Sequence, residues 1–101
     1  MIIERNTFHL KFGKAKEALV LWNEMLESIR KSEEHTSIRM MTDLSGPSYT
    51  LIVEMNLKSF MDINPKNYHW VTNAEVQALY QKFIPLCDSS QREYYKIEME
   101  I

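Results

Sequence analysis

The sequence predicts an α+β fold with its elements in the order β-α-β-β-α-β. Apolar residues alternate with period two over residues 2–12 and then recur at spacings of three and four over residues 14–31, so a strand is followed by a helix. Two further alternating segments flank the turn residues Gly46 and Pro47, which predicts a β-hairpin. A second helical stripe and a last alternating segment complete the pattern.

The first strand and helix have clear apolar faces. Residues 2–12 place Ile2, Phe8, Leu10 and Phe12 on one face and Arg5, Thr7, His9 and Lys11 on the other. Gly13 ends this strand. The helix over residues 14–31 carries an apolar stripe made of Ala15, Ala18, Leu19, Trp22, Met25, Leu26 and Ile29. Val20 and Leu21 make its apolar surface wider than one packed face requires.

The second half of the chain repeats the strand and helix signals. Strands are predicted over residues 36–44 and 49–57. Thr72 and Glu75 have capping-box spacing, and Pro85 ends the helix that follows them. The buried stripe of that helix is Val76, Leu79, Tyr80 and Phe83. In the last strand, over residues 92–101, the predicted core face is Tyr95, Ile97, Met99 and Ile101.

This element order is the ferredoxin-like, or split βαβ, arrangement. Both crossovers have the same hand, so both helices are predicted to cover one face of a four-stranded antiparallel sheet. We call the other sheet face the open face. Its predicted residues are Arg5, Thr7, His9, Arg39, Met41, Thr50, Ile52, Glu54, Tyr94, Lys96 and Glu98.

The open face has two interpretations. An antiparallel sheet often leaves one side in water. Ile52, Tyr94 and Met41 make this face more apolar than solvation requires, whereas its charges make it too polar for a single-chain core. We therefore predict that the chain forms a homodimer through the open face, because a small domain gains stability by covering such a surface.

Composition limits the other partners. With 101 residues, of which 45% are hydrophobic and 26% charged, we expect one domain over residues 1–101. A net charge of −2 argues against a nucleic-acid partner. Cys87 is the single cysteine, so no disulfide forms within the chain, and a cytoplasmic protein is expected. No signal-peptide pattern and no membrane-spanning apolar run is found in the sequence, so no membrane partner is expected.

The segment Ile3-Glu4-Arg5-Asn6-Thr7-Phe8-His9-Leu10-Lys11-Phe12-Gly13-Lys14, followed by Glu17 and Leu21-Trp22, resembles the opening of NIPSNAP-type domains in the dimeric α/β-barrel superfamily. The resemblance implies that two four-stranded sheets associate into a barrel with the helices outside. It implies no single activity, because the superfamily includes monooxygenases, haem-degrading enzymes, chlorite dismutases, ligand-sensing domains and stress-associated proteins.

Candidate site residues come from the polar and aromatic positions near the predicted cleft between sheet and helices. Asn6 is predicted to face the helices, where an amide needs a protein partner or a ligand. It also resembles a functional asparagine of the haem-degrading branch, but Ile63 stands where that branch has a tryptophan. The catalytic candidates are Asn6 and His69, and the ligand-binding candidates are Asn6, Trp22, His69, Trp70 and Tyr80. Packing is the alternative role for each aromatic residue.

Metal and cofactor signals are missing from the sequence. His9, His35 and His69 have no local metal-ligand spacing, and the glycines form no phosphate-binding motif, so we expect neither a metal nor a cofactor. Three functions remain open. They are a homodimer that binds a small apolar or aromatic molecule, a cofactor-independent monooxygenase, and a structural or stress-associated assembly protein without catalysis.

Overall fold

The computed structural model describes residues 1–31, 37–58 and 73–101. Within them the strands are β1 (Ile2–Leu10), β2 (Ile38–Thr42), β3 (Thr50–Leu57) and β4 (Cys87–Lys96). The helices are α1 (Ala15–Arg30) and α2 (Ala74–Phe83), and a 3-10 turn over Ile84–Leu86 leads from α2 into β4. The β-α-β-β-α-β order predicted from the sequence is confirmed.

The four strands form one antiparallel sheet with the order β2-β3-β1-β4. Both helices contribute to one core on the same side of this sheet. Its buried residues are Phe8, Leu10, Ala18, Trp22, Met25, Ile29, Leu51, Val53, Val76, Leu79, Phe83 and Leu86. A second, smaller cluster of Ile2, Met55 and Leu57 packs near the other end of β1, with Tyr94 against it. The ferredoxin-like fold class is therefore confirmed.

Phe12 differs from the sequence prediction. It was expected on the core face of the first strand, but β1 ends at Leu10 and the Phe12 side chain is 88% exposed. The chain turns at Gly13, whose φ of +79° is a left-handed conformation that glycine adopts readily. The strand therefore ends at Leu10, two residues before the alternating apolar pattern of the sequence ends at Phe12.

β4 also differs, both in its position and in its orientation. The strand was expected over residues 92–101, but it begins at Cys87, directly after the 3-10 turn, and ends at Lys96. Tyr94 lies opposite Glu4 on the helix-facing side, and Tyr95 lies opposite Ile3 on the open face. The prediction for these two tyrosines was therefore wrong, because a period-two pattern does not specify which set of side chains points inward.

The residues after β4 do not form the expected core face either. The Ile97 amide donates to the Met1 carbonyl at 3.1 Å, while Met99 and Ile101 are exposed. Lys96 is paired with Ile2 on the helix-facing side of the sheet, and Glu98 follows the end of the strand. Three of the predicted open-face residues, Tyr94, Lys96 and Glu98, are therefore replaced on β4 by Gln91, Glu93 and Tyr95.

The second helix begins at a cap one residue later than predicted. Asn73 is the N-cap of α2, and its Oδ1 accepts hydrogen bonds from the amides of Glu75 and Val76 at 2.9 and 3.2 Å. Thr72, the expected capping residue, lies outside the described residues. Asn73 also donates from Nδ2 to the Ser28 hydroxyl at 3.2 Å, which connects the start of α2 to α1.

Candidate functional site

A buried polar cluster lies on the helix-facing side of β1 and β4. Glu4 is 1% exposed and Asn6 is buried beside it. Arg92, opposite Asn6 in the sheet, places its Nε 3.2 Å from Glu4 Oε1 and donates to Asn6 Oδ1 at 2.8 Å. Asn6 Nδ2 completes the cluster by donating to Glu4 Oε1 at 3.4 Å. Removing one partner of so deeply buried a carboxylate would be strongly destabilising.

Four aromatic rings pack close to this polar cluster. Trp22 lies at the centre, with ring centroids 5.7 Å from Phe8, 5.5 Å from Phe83 and 6.2 Å from Tyr80. Phe8 and Phe83 meet edge to face at 4.9 Å. These distances are in the range of favourable aromatic pairs, so the rings are held in fixed positions.

The indole nitrogen of Trp22 is the unusual group in this core. Trp22 is 5% exposed, and its Nε1 has no hydrogen-bond partner within the described part of the chain. An unpaired buried donor costs about 1–3 kcal/mol. A small cavity of about 20 Å³ is lined by Asn6, Trp22, Val53 and Met55 together with Leu26, Ile29 and Ile38. Space of this size holds a single water.

A larger groove opens on the neighbouring surface, between α1 and the start of β2. Its volume is about 460 Å³, and its lining residues are Asn23, Leu26, Glu27, Ile29, Arg30, Ser37 and Ile38. Leu26, Ile29 and Ile38 line both the groove and the small cavity. These three apolar side chains therefore lie between the groove and the small cavity that Trp22 lines.

Burial raises the pKa values of two side chains near the site. Burial raises the pKa of the Tyr80 phenol, and the nearby Arg92 guanidinium opposes this effect. Tyr80 is therefore a neutral hydroxyl at neutral pH, able to donate a hydrogen bond. Burial also raises the pKa of the half-buried Cys87 thiol, which keeps it protonated and is unlike a catalytic nucleophile.

The open face carries a second arrangement of charged groups. Glu54 accepts hydrogen bonds from Arg5 Nε at 2.9 Å and from Arg39 Nη2 at 2.9 Å. Burial alone would raise the pKa of Glu54, but the hydrogen bonds from Arg39 and Arg5 outweigh it, so its pKa lies below the ordinary value. The Arg5 guanidinium also lies 5.1 Å from the centre of the Tyr95 ring, in cation–π contact.

Solved structures share this architecture over almost the whole chain. An uncharacterized NIPSNAP domain protein from Burkholderia xenovorans superposes with a TM-score of 0.79 at 16% identity, covering 96% of this chain and 94% of that one. A NIPSNAP family protein from Agrobacterium tumefaciens gives 0.79 at 21% identity, with 94% and 90% covered. A structure described as an antibiotic biosynthesis monooxygenase gives 0.76 at 10% identity, with 96% and 98% covered.

The chain has the ferredoxin-like fold that these solved structures share. This finding confirms the fold relationship that the opening segment of the sequence indicated, and the same fold is shared by the monooxygenase-like structures. No protein-family model matches the chain, and no curated protein sequence matches it. At identities of 9–21% the likeness to these structures concerns the fold.

The structure brings together three of the five predicted ligand-binding residues. Asn6 and Trp22 line the same small cavity, and Tyr80 packs against Trp22. His69 and Trp70 lie outside the described residues. Both ends of the Asn6 amide already bond to protein groups, namely Arg92 and Glu4. This arrangement agrees with the alternative in which the Asn6 amide is satisfied by the protein.

Sequence reasoning missed Glu4 and Arg92. Glu4 could have been found from its position two residues before Asn6, on the same face of a strand. Arg92 could not, because the expected start of β4 and the expected facing of its side chains were both wrong. Within residues 1–31, 37–58 and 73–101, no group of three or more His, Cys, Asp and Glu residues is placed to hold a metal ion, and no helix is long and apolar enough to cross a membrane.

Proposed function

We propose that this protein is a homodimer that binds a small aromatic or apolar molecule between the sheet and α1, with a ligand oxygen accepting a hydrogen bond from Trp22. The observation that carries the proposal is the buried indole nitrogen without a partner among the described residues. A carbonyl or phenolic oxygen is the acceptor that this donor lacks.

The surroundings of the indole nitrogen favour such a ligand. The side chains between the groove and the cavity are apolar, and the groove volume of about 460 Å³ is in the range of small-molecule sites. The small cavity of about 20 Å³ cannot by itself hold an aromatic ring. A ligand therefore occupies the groove and reaches the indole by displacing Leu26 or Ile38.

The homodimer part of the proposal rests on the open face. Ile52, Ile3 and Met41 lie on it beside the charged groups, and Tyr95 is 44% exposed there. A second copy of the chain would cover these apolar side chains while meeting their charged neighbours. The dimer leaves the groove free, because the groove lies at α1 on the other side of the sheet.

Binding of 1-naphthol tests the ligand site. We expect calorimetric titration to show saturable binding, and Trp22→Phe to weaken it about two- to tenfold, because one hydrogen bond contributes about 0.5–1.5 kcal/mol. Phe12→Leu is the control, since it changes an exposed aromatic ring outside the groove. Binding of equal strength to the wild type and Trp22→Phe would contradict the proposed hydrogen bond, and no binding of 1-naphthol or 1,4-naphthoquinone would contradict the proposed ligand class.

A cofactor-independent monooxygenase is the second candidate. It is favoured by the structural neighbour described as an antibiotic biosynthesis monooxygenase and by the polar cluster beside the cavity. Oxygen uptake with 1-naphthol, which O2 would oxidise to 1,4-naphthoquinone and water, tests it when measured for the wild type, Asn6→Ala and His69→Ala. Uptake that is lost in either variant while the oligomer stays intact supports catalysis. Oxygen uptake by the wild type that is no faster than in buffer without protein contradicts it.

A further inference from the structure

Three connecting segments meet at the end of the sheet where β1 ends and where β3 and β4 begin. They cover residues 11–14, 43–49 and 84–86. The Leu10 amide donates to the Tyr49 carbonyl at 2.8 Å, and the Lys11 amide donates to the Leu86 carbonyl at 2.8 Å. These hydrogen bonds tie the first segment to the other two, so the three segments form one surface. We call this surface the loop end.

The loop end presents large apolar side chains to solvent. Phe12 is 88% exposed, Leu44 is fully exposed and Ile84 is partly exposed. The Phe12 ring lies against the Tyr49 ring, with centroids 5.4 Å apart. Tyr49 has a φ of +61°, a left-handed conformation that is uncommon outside glycine, so a specific backbone turn places its ring. An exposed aromatic ring that is already held in position loses little conformational entropy when another surface covers it.

Lysine side chains surround these apolar groups. Four of them are exposed on the loop end or on the helix turns that adjoin it, namely Lys11, Lys14, Lys16 and Lys82. None of the four forms an ion pair within the part of the chain that the structure describes. The acidic residues of the same region are Glu17, Asp43 and Asp88. Four lysines and three acids leave a local charge of +1, in a chain whose net charge is −2.

We propose that the loop end docks on the surface of an anionic lipid bilayer, with Phe12 and Leu44 entering the interface between headgroups and acyl chains. The apolar side chains gain free energy by leaving water, and the surrounding lysines meet the negative headgroups. The expectation of no membrane partner rested on the lack of a spanning or signal segment in the sequence. Docking on a bilayer surface requires neither.

The arrangement of the apolar side chains favours a bilayer over a protein partner. Phe12 and Leu44 project from two separate segments, and exposed lysines lie beside them. A lipid interface is fluid and accommodates separate projecting side chains, whereas a protein partner needs a complementary surface for each. The loop end is apart from both the open face and the groove beside β2, so this proposal does not depend on the proposed homodimer or on its ligand.

Co-sedimentation with lipid vesicles tests this proposal. We expect the wild type to bind vesicles of equal parts phosphatidylcholine and phosphatidylserine, and to bind pure phosphatidylcholine about tenfold or more weakly, because the lysines lose their anionic partners. Phe12→Ser should lower the partition coefficient on the mixed vesicles about tenfold, since a phenylalanine side chain no longer leaves water. Met99→Ser is the matched control, because Met99 is also largely exposed but lies beyond the opposite end of the sheet. Its partition coefficient should equal that of the wild type.

The outcomes distinguish a lipid surface from other partners. A wild type that stays in the supernatant with both kinds of vesicle overturns the proposal. Binding that Phe12→Ser leaves unchanged, or that Met99→Ser weakens equally, overturns the assignment to the loop end. Self-association that Phe12→Ser abolishes, without any vesicle binding, assigns the loop end to a second copy instead. If Phe12→Ser folds poorly by circular dichroism, Leu44→Ser replaces it, with the same expected loss and the same contradicting result.

Discussion

Arg92 Nε donates a 2.8 Å hydrogen bond to Asn6 Oδ1, linking an edge strand of the described sheet to a central strand on the side that faces the helices. The same nitrogen lies 3.2 Å from the carboxylate of Glu4. One half-exposed arginine therefore supplies charge compensation to a fully buried acid and orients the amide that lines the cavity beside Trp22. The polar cluster is thus a support for the proposed ligand site.

Removing the Arg92 guanidinium should destabilise the fold. Arg92→Met leaves the Glu4 carboxylate without this cation, and loss of one partner of a fully buried pair costs about 3–5 kcal/mol. Because the arginine is half exposed, we expect a smaller loss of about 1–3 kcal/mol in urea unfolding. Arg30→Met is the matched control, since its pair with Glu27 is on the surface and should contribute less than about 1 kcal/mol. Equal effects of the two variants would contradict this role for Arg92.

The loss of stability on replacing a phenylalanine should differ between the core and the surface. Phe83 is fully buried, so Phe83→Ala should lower the free energy of unfolding by about 3–5 kcal/mol. Phe12 is 88% exposed and contacts Tyr49 only at the surface, so Phe12→Ala should change stability by about 0.5 kcal/mol or less. A large loss for Phe12→Ala in chemical denaturation would restore the sequence prediction that placed Phe12 in the core.

Removing the N-cap of α2 should lower the stability of the protein. Asn73→Ala removes the acceptor for two amides and should cost about 1 kcal/mol of stability. Asn73→Asp keeps a capping oxygen but loses the donor to Ser28, so most of the stability should remain. Thermal unfolding of the three proteins measures both effects. Equal losses for alanine and aspartate would show that the contact with Ser28, rather than the cap, stabilises this end of the helix.

Glu54 should make stability depend on pH. Its pKa is lowered in the folded protein, so its contribution is fully present above the unfolded carboxyl pKa of 4.5 and is lost as the pH falls through the folded value. The free energy of unfolding should therefore fall less steeply below pH 4.5 in Glu54→Gln than in the wild type. Urea titrations from pH 7 to pH 3 measure the difference. Parallel profiles would contradict the lowered pKa.

Local patterns explain why most of the fold was predictable. One face of β3 is wholly apolar, and the α1 stripe ends at Ile29, so these elements follow from periodicity alone. β4 was misplaced because its inward residues are polar and its apolar tail, with Met99 and Ile101, lies beyond the strand. Its register depends on pairing with β1, which is a long-range property.

The candidate site was predictable only in part. Asn6, Trp22 and Tyr80 could be chosen from the faces of their own elements, and the structure places them near one another. The role of Arg92 depends on strand pairing between residues that are 86 positions apart, and no local pattern contains that information. The pairing of Glu54 with Arg5 and Arg39 likewise appears only when their three strands are placed in register.

The most direct test of the account follows the indole N–H of Trp22 by two-dimensional ¹⁵N NMR during titration with 1-naphthol. The resonance is assigned by its absence in Trp22→Phe, which leaves the indole of Trp70. We expect the Trp22 signal to move downfield in proportion to saturation, because a ligand oxygen accepts its hydrogen bond. A Trp22 signal that stays in place while 1-naphthol saturates the protein would contradict the claim that this nitrogen binds the ligand.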